Sequence, residues 1–222
     1  MYNRNVMCKI TENVQKILRE LPPGVQLVAV AKGRSQPEIK EALSAGVTII
    51  GENYVQETLA VQPEAGNRAR WHFIGHLQKN KIKSAVGLFD MIETVDSAEL
   101  AVEIDKRCRQ AGKIMPVLLE INSGREPNKS GVLPEAAIDL VKQIFILPNI
   151  KVMGLMTLGP ATANVEAVRP WFKLTRQLFE DIKQRGFLEV EMKYLSMGMS
   201  DTYLIAIDEG ANLVRIGRGI FG

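Results

Sequence analysis

Lys32 stands directly after the apolar run Leu27–Ala31, where an amine is delivered at the end of a strand-like segment. Partial withdrawal from water lowers a lysine's pKa and leaves a neutral fraction able to attack an aldehyde and form a Schiff base. The plainer reading is a lysine that begins a solvated loop. Far along the chain, two groups suit an anion. Ser200, in Ser196-Met-Gly-Met-Ser200-Asp201, precedes a helical segment, so its hydroxyl and neighbouring amides can cap the helix or bind a phosphate. In Arg215-Ile-Gly217-Arg218-Gly219 two glycines bracket an arginine, which lets the backbone approach a phosphate with guanidinium charge at hand. A glycine-rich turn is the alternative. Asn53 ends Gly51-Glu52-Asn53, and is either a contact to a ligand ring or its phenolic oxygen, or a turn asparagine.

These residues fall at regular points in a repeating pattern. Eight short β-branched or apolar runs recur: QLVAVA, VTIIG, WHFIG, DMIETV, PVLLEI, KVMGLMTL, MKYLSM and NLVRIG. After an opening amphipathic helix around Asn5–Leu21, helical stretches separate them at Pro37–Ala45, Tyr54–Ala65, Gln78–Val86, Ala98–Ala111, Pro134–Leu147, Glu166–Arg185 and Thr202–Glu209. Ser35-Gln-Pro-Glu38 offers a capping serine, an early proline and a third-position glutamate, so a helix starts there. Eight strand–helix units predict an α/β chain, a single (β/α)8 TIM-type barrel with an additional N-terminal helix, over residues 1–222 as one domain. An open doubly wound sheet is the runner-up. In the barrel, chemistry sits at the C-terminal ends of strands and phosphates bind after strands seven and eight. Lys32 then faces a phosphate cup made by Ser200 and the Arg215–Gly219 segment, and pyridoxal 5'-phosphate is the cofactor that asks for this pair.

Composition narrows the partners. The 222 residues are 46% hydrophobic and 24% charged, which fits a folded soluble chain, and no apolar stretch approaches the length of a membrane span. Charged residues interrupt the opening segment, which lacks the features of a signal peptide, so a cytoplasmic location is expected. A net charge of +3, dispersed along the chain, and 6% aromatics speak against nucleic acid. His72 and His76 have a metal-like spacing but no nearby carboxylate or cysteine in sequence, and Cys8 and Cys108 have no catalytic context. The polar loop Asn122–Gly131 has no chemistry assignable from spacing.

The motifs LVAVAK ending at Lys32, GENYVQE, WHFIGHLQKNK, INSGREPNKSG, MGLMTL, LSMGMSDT and VRIGRGIFG resemble, in order and separation, the pyridoxal phosphate homeostasis proteins, which are related to the N-terminal barrel of alanine racemase. The resemblance spans nearly the whole chain. It implies that Lys32 carries the Schiff base, that Ser200, Arg215, Gly217 and the backbone around Arg218 and Gly219 hold the phosphate, and that Asn53 lies near the ring. Arg215 faces either the phosphate or the pyridine nitrogen. Two departures stand out: Gly33-Arg-Ser follows the lysine where many relatives carry a threonine-containing segment, and Arg218 fills a slot often held by threonine.

The resemblance further implies a non-catalytic protein that holds the cofactor, acts in its intracellular homeostasis and so affects amino- and keto-acid metabolism. Client enzymes or a regulatory protein are the expected partners, and a monomer the expected state. An amino-acid racemase is the rival. It would need a second acid/base group opposite the lysine, and of Tyr2, Tyr54, Tyr194 and Tyr203 it is Tyr54 that follows Asn53 closely enough to be considered, though there it should begin a helix and pack outward.

Overall fold

A computed structural model describes residues 4–65, 68–160 and 164–222 of the chain; Tyr2 lies outside them. Eight parallel strands close into a barrel in chain order. They are β1 (Gln26–Val30), β2 (Ile49–Glu52), β3 (Arg70–Phe73), β4 (Met91–Val95), β5 (Met115–Glu120), β6 (Ile150–Met156), β7 (Val190–Ser196) and β8 (Leu213–Ile216). Around them run α1 (Arg4–Glu20), α2 (Gln36–Ser44), α3 (Val55–Ala65), α4 (Ile82–Leu88), α5 (Ala98–Ala111), α6 (Ala137–Ile144), α7 (Arg169–Arg185), α8 (Tyr203–Asp208) and α9 (Arg218–Phe221). The eight-stranded barrel and its extra first helix are as the sequence pattern predicts. The short α9 is an addition to it. Tight single turns open three of the expected helices, at Lys79–Lys81, Pro134–Ala136 and Val165–Val168, so the regular α-helix begins later than periodicity alone places it.

Local chemistry sets the helix ends. Ser35 forms the expected capping box: the Glu38 carboxylate accepts both the Ser35 backbone N–H at 2.9 Å and its hydroxyl at 2.6 Å. α5 and α7 stop at Gly112 and Gly186, both in the left-handed conformation that glycine adopts without cost.

The period-two alternation of each strand sorts side chains into two cores. Leu27 and Ala29 of β1, Ile50 of β2 and Val214 of β8 face the helices, and pack with residues such as Ile10, Val14 and Ile17 of α1. Burying each such aliphatic side chain contributes roughly 1.5–3 kcal/mol. Val28, Ile49, Met91, Leu118, Tyr194 and Leu213 point the other way and form an apolar plug inside the barrel. Two residues further along the same strands, the inward positions become Val30, Gly51, Glu93, Glu120, Ser196 and Arg215. The plug therefore gives way to a layer rich in polar groups toward the C-terminal rim, and that layer is the floor of the site.

Candidate functional site

The C-terminal rim holds a cavity of about 450 Å³, and Asn53, Ser200, Arg215, Gly217 and Arg218 all line it. Five of the seven residues proposed from sequence thus meet in one place. Leu158, Pro160, Val168 and Met199 supply an apolar wall. Gly219 is beside the cavity: its N–H donates to Ser200 Oγ at 3.1 Å, which ties the β7–α8 loop to the start of α9. Gly219 has no room for a side chain, because a Cβ there would lie 2.9 Å from Ile216 Cγ2. Close backbone approach also places Asn53, since a Cβ on Gly75 would meet the Asn53 carbonyl oxygen at 2.4 Å.

Ser200 does not cap α8, the first of the two roles open to it from sequence. α8 begins at Tyr203, Thr202 occupies the cap position, and the Thr202 hydroxyl accepts the Met199 N–H at 3.1 Å. The two extra loop residues free the Ser200 hydroxyl for the cavity and for Gly219. Arg218 is mostly exposed and pairs with Asp201 at 2.6 Å on the lip.

Lys32 also departs from its expected position. It is exposed, and its Nζ lies 5.5 Å from the centre of the half-exposed Tyr54 ring rather than in the cavity lining. The cause is local: β1 ends at Val30, and a turn closed by the Arg34 N–H on the Ala31 carbonyl at 2.9 Å takes residue 32 off the strand's inward register. Burial of the free amine is therefore not what this loop supplies. The loop itself is well anchored. Gly33 N–H donates to Glu57 Oε2 at 2.8 Å, and Arg34 reaches the Gly222 carbonyl at 2.8 Å. Asn13 of α1 donates to the Ile220 carbonyl at 3.0 Å, so α9 is braced by α1 while the lysine loop is braced by α3 and by the residue that follows α9.

Beneath the cavity lies a buried polar chain. Arg215, 2% exposed, donates from Nη1 to Ser196 Oγ at 2.5 Å and from Nη2 to the Thr157 carbonyl at 2.7 Å. The Ser196 hydroxyl donates in turn to Glu93 Oε2 at 2.6 Å, and His72 Nδ1 meets Glu93 Oε1 at 2.7 Å. Burial works against the Glu93 charge, but the His72 hydrogen bond, the charges of His72 and Arg215 and the Ser196 bond together hold its carboxyl below the usual range. Burial draws the Arg215 pKa down, against the pull of Glu93 and Glu120. Glu120 is pushed up to about 7 by burial and by Asp96, with Arg215 opposing.

Glu52 faces the helix side at the end of β2. Burial and the neighbouring Glu57 push its carboxyl up to about 8, the Asn53 N–H opposing, and its Oε2 has no hydrogen-bond partner.

Sequence reading missed Glu93, Ser196, Thr157 and Glu120, and weighed His72 only as a metal ligand. The two histidines serve different neighbours: His72 is in the barrel interior, while exposed His76 lies 3.2 Å from Ser130 Oγ. The signal for Glu93, Glu120 and Ser196 is their spacing, each two positions beyond an inward apolar residue, whereas Thr157 follows the helix-facing Leu155 and carries no such signal. The Asn122–Gly131 loop closes on itself through Asn122, whose side chain bonds the Glu126 N–H at 3.0 Å and carbonyl at 2.9 Å.

Residues 7–222 match the family model described as alanine racemase, N-terminal domain. The pyridoxal phosphate homeostasis protein of Aquifex aeolicus is 39% identical, over 97% of this chain and 96% of its own length. The human protein of that name is 36% identical, over 96% of this chain and 83% of its own. The structure of PipY from Synechococcus elongatus with PLP bound superposes with a TM-score of 0.88 at 32% identity, covering 96% of this chain and all of that one. An alanine racemase of Clostridium difficile, 18% identical with a TM-score of 0.78 over 55% of its length, shares the fold. The closed barrel, the rim cavity and near full-length identity to these relatives lead to one family: this chain belongs to the pyridoxal phosphate homeostasis proteins.

Proposed function

We propose that this chain binds pyridoxal 5'-phosphate in the rim cavity, holds it reversibly through a Schiff base on Lys32, and acts in PLP homeostasis without turnover of its own. The observation that carries the reading is the convergence of Asn53, Ser200, Arg215, Gly217 and Arg218 on one cavity, while Lys32 lies against Tyr54, the residue that follows Asn53. The residues fit the cofactor. Ser200 and the tight Gly217–Gly219 segment offer a hydroxyl and close backbone to a phosphate, and Arg215 brings a donor-only cation to the floor. The bound group supplies a reactive aldehyde on a ring that carries hydrogen-bond acceptors. Lys32 would supply the amine that condenses with that aldehyde, one water being released as the carbon–nitrogen double bond forms. Hydrolysis reverses the step. The names of the relatives and PLP bound in PipY support the cofactor assignment.

What the tyrosines do supports holding over racemising. Among the described residues, Tyr194 packs in the barrel interior and Tyr203 donates to Glu20. Tyr54 stands under the Lys32 ammonium, with its ring half in solvent. None presents a second acid/base group across the cavity from the lysine. Delivery of the cofactor to client enzymes is how such a holder bears on amino- and keto-acid metabolism.

The test is the absorption spectrum of purified protein with PLP, followed by borohydride reduction and peptide mass mapping. A reduced pyridoxyl group on Lys32 is the expected result. An adduct on another lysine overturns the linkage, and no spectral change at all overturns the cofactor. Interconversion of alanine enantiomers that depends on Lys32 would replace the holder with a racemase.

A further inference from the structure

Arg215 poses a problem of charge. A guanidinium buried in a barrel needs a counter-ion, yet a direct, two-pronged pair with a carboxylate would consume the donors it could show to a ligand. The fold answers this by inserting a hydroxyl. Arg215 Nη1 donates to Ser196 Oγ at 2.5 Å, so the serine's single proton is left for Glu93 Oε2 at 2.6 Å. His72 Nδ1 fixes the other carboxylate oxygen at 2.7 Å, and Thr157 O holds Nη2 at 2.7 Å. The direction of every bond is thereby set, from Arg215 through Ser196 to Glu93 and from His72 to Glu93. Glu93 is fully buried, Ser196 is too, and neither is part of the cavity wall.

The geometry points to Glu93 as a positioning residue for the cofactor site: acting through Ser196, it balances and aims the Arg215 guanidinium while leaving donor capacity facing the cavity for an acceptor atom of the bound cofactor. This rests on the reading that PLP occupies the cavity. A filler role alone would require only that Glu93 neutralise charge and keep the barrel folded. A positioning role requires in addition that the Ser196 relay matter to the ligand.

The experiment compares wild type with Ser196→Ala, Glu93→Gln and Arg215→Lys, and with Glu93→Gln combined with Arg215→Lys. Each is read by PLP titration, by the wavelength of the bound-PLP absorption band and by thermal unfolding. Ser196→Ala leaves both charges in place and cuts only the relay. Its expected effect is a PLP affinity about tenfold weaker and a displaced band, with cooperative unfolding retained. Glu93→Gln should do the same in the native background and cost little further affinity where Arg215 is already lysine, because the two then act as one unit.

Wild-type affinity and band position in folded Ser196→Ala overturn the inference, even if Glu93→Gln fails to fold. A wild-type protein without any PLP band overturns the cofactor reading and this inference with it. A normal wild-type band beside an unaltered Ser196→Ala band overturns this inference alone.

Discussion

Lys32 rests on Tyr54 with its amine in solvent, a contact worth about 0.5–1 kcal/mol at an exposed site. So weak a hold is easily exchanged for a covalent bond, and so exposed a side chain carries little of the fold. Lys32→Ala should therefore abolish the borohydride-fixed adduct while moving the unfolding midpoint by no more than about 2 °C, since surface changes stay near 0.5 kcal/mol. Loss of cooperative unfolding in that variant would show the residue to be structural.

Glu52 makes the opposite prediction, for stability. Its carboxyl titrates at about 8 in the folded chain against 4.5 for an ordinary glutamate, mainly through burial. The folded state thus holds a proton that the unfolded chain releases, and stability falls as pH rises from 4.5 to about 8, then levels. Glu52→Gln should remove that slope. The variant's advantage over wild type grows across the same window and reaches at least about 2–4 °C in unfolding midpoint at pH 8. An advantage that is constant with pH would place the proton elsewhere. Lys32 and the glycine-bracketed Arg218 could be singled out as candidates by position alone, one following the first strand and the other the eighth. Glu93 and Ser196 could not. A polar residue within a strand reads as solvent-facing until barrel closure turns its side inward.

α9 is only four residues long, yet it carries Arg218 and Gly219. Its brace is the Asn13 bond to the Ile220 carbonyl, across 207 positions of sequence. Asn13→Ala removes one hydrogen bond of about 1 kcal/mol net. PLP dissociation, followed by transfer to an excess of an apo-enzyme acceptor, should quicken about fivefold with affinity falling in step. An unchanged rate would mean that Gly219 and Ser200 hold the lip without α1. Elements of this kind explain where sequence reading stops. The Ser35 box is a local pattern and was legible as such. α9 is a single turn bonded to Asn13 of α1 and flanked by the Arg34 bond to Gly222, and the loop before α8 is bonded to Gly219, contacts that are distant in sequence.

At the scale of the whole molecule, alternation of apolar runs with helical stretches was enough to read the barrel, since eight buried parallel strands have few ways to hide their edges. None of the described helices is long and apolar enough to cross a membrane. The isolated chain is expected to sediment as a monomer with and without PLP. A stable dimer that dissociates on loading would instead couple assembly to the cofactor.

The plug of Val28, Ile49, Met91, Leu118, Tyr194 and Leu213 closes the barrel below Arg215. Among the described residues the plug shuts the cavity off from the far end of the barrel, so cargo would arrive and leave on the rim side. A recipient that takes cofactor by direct hand-over must dock at that side and stop new loading while it does so. A recipient that never touches the rim is fed only by what escapes into bulk water.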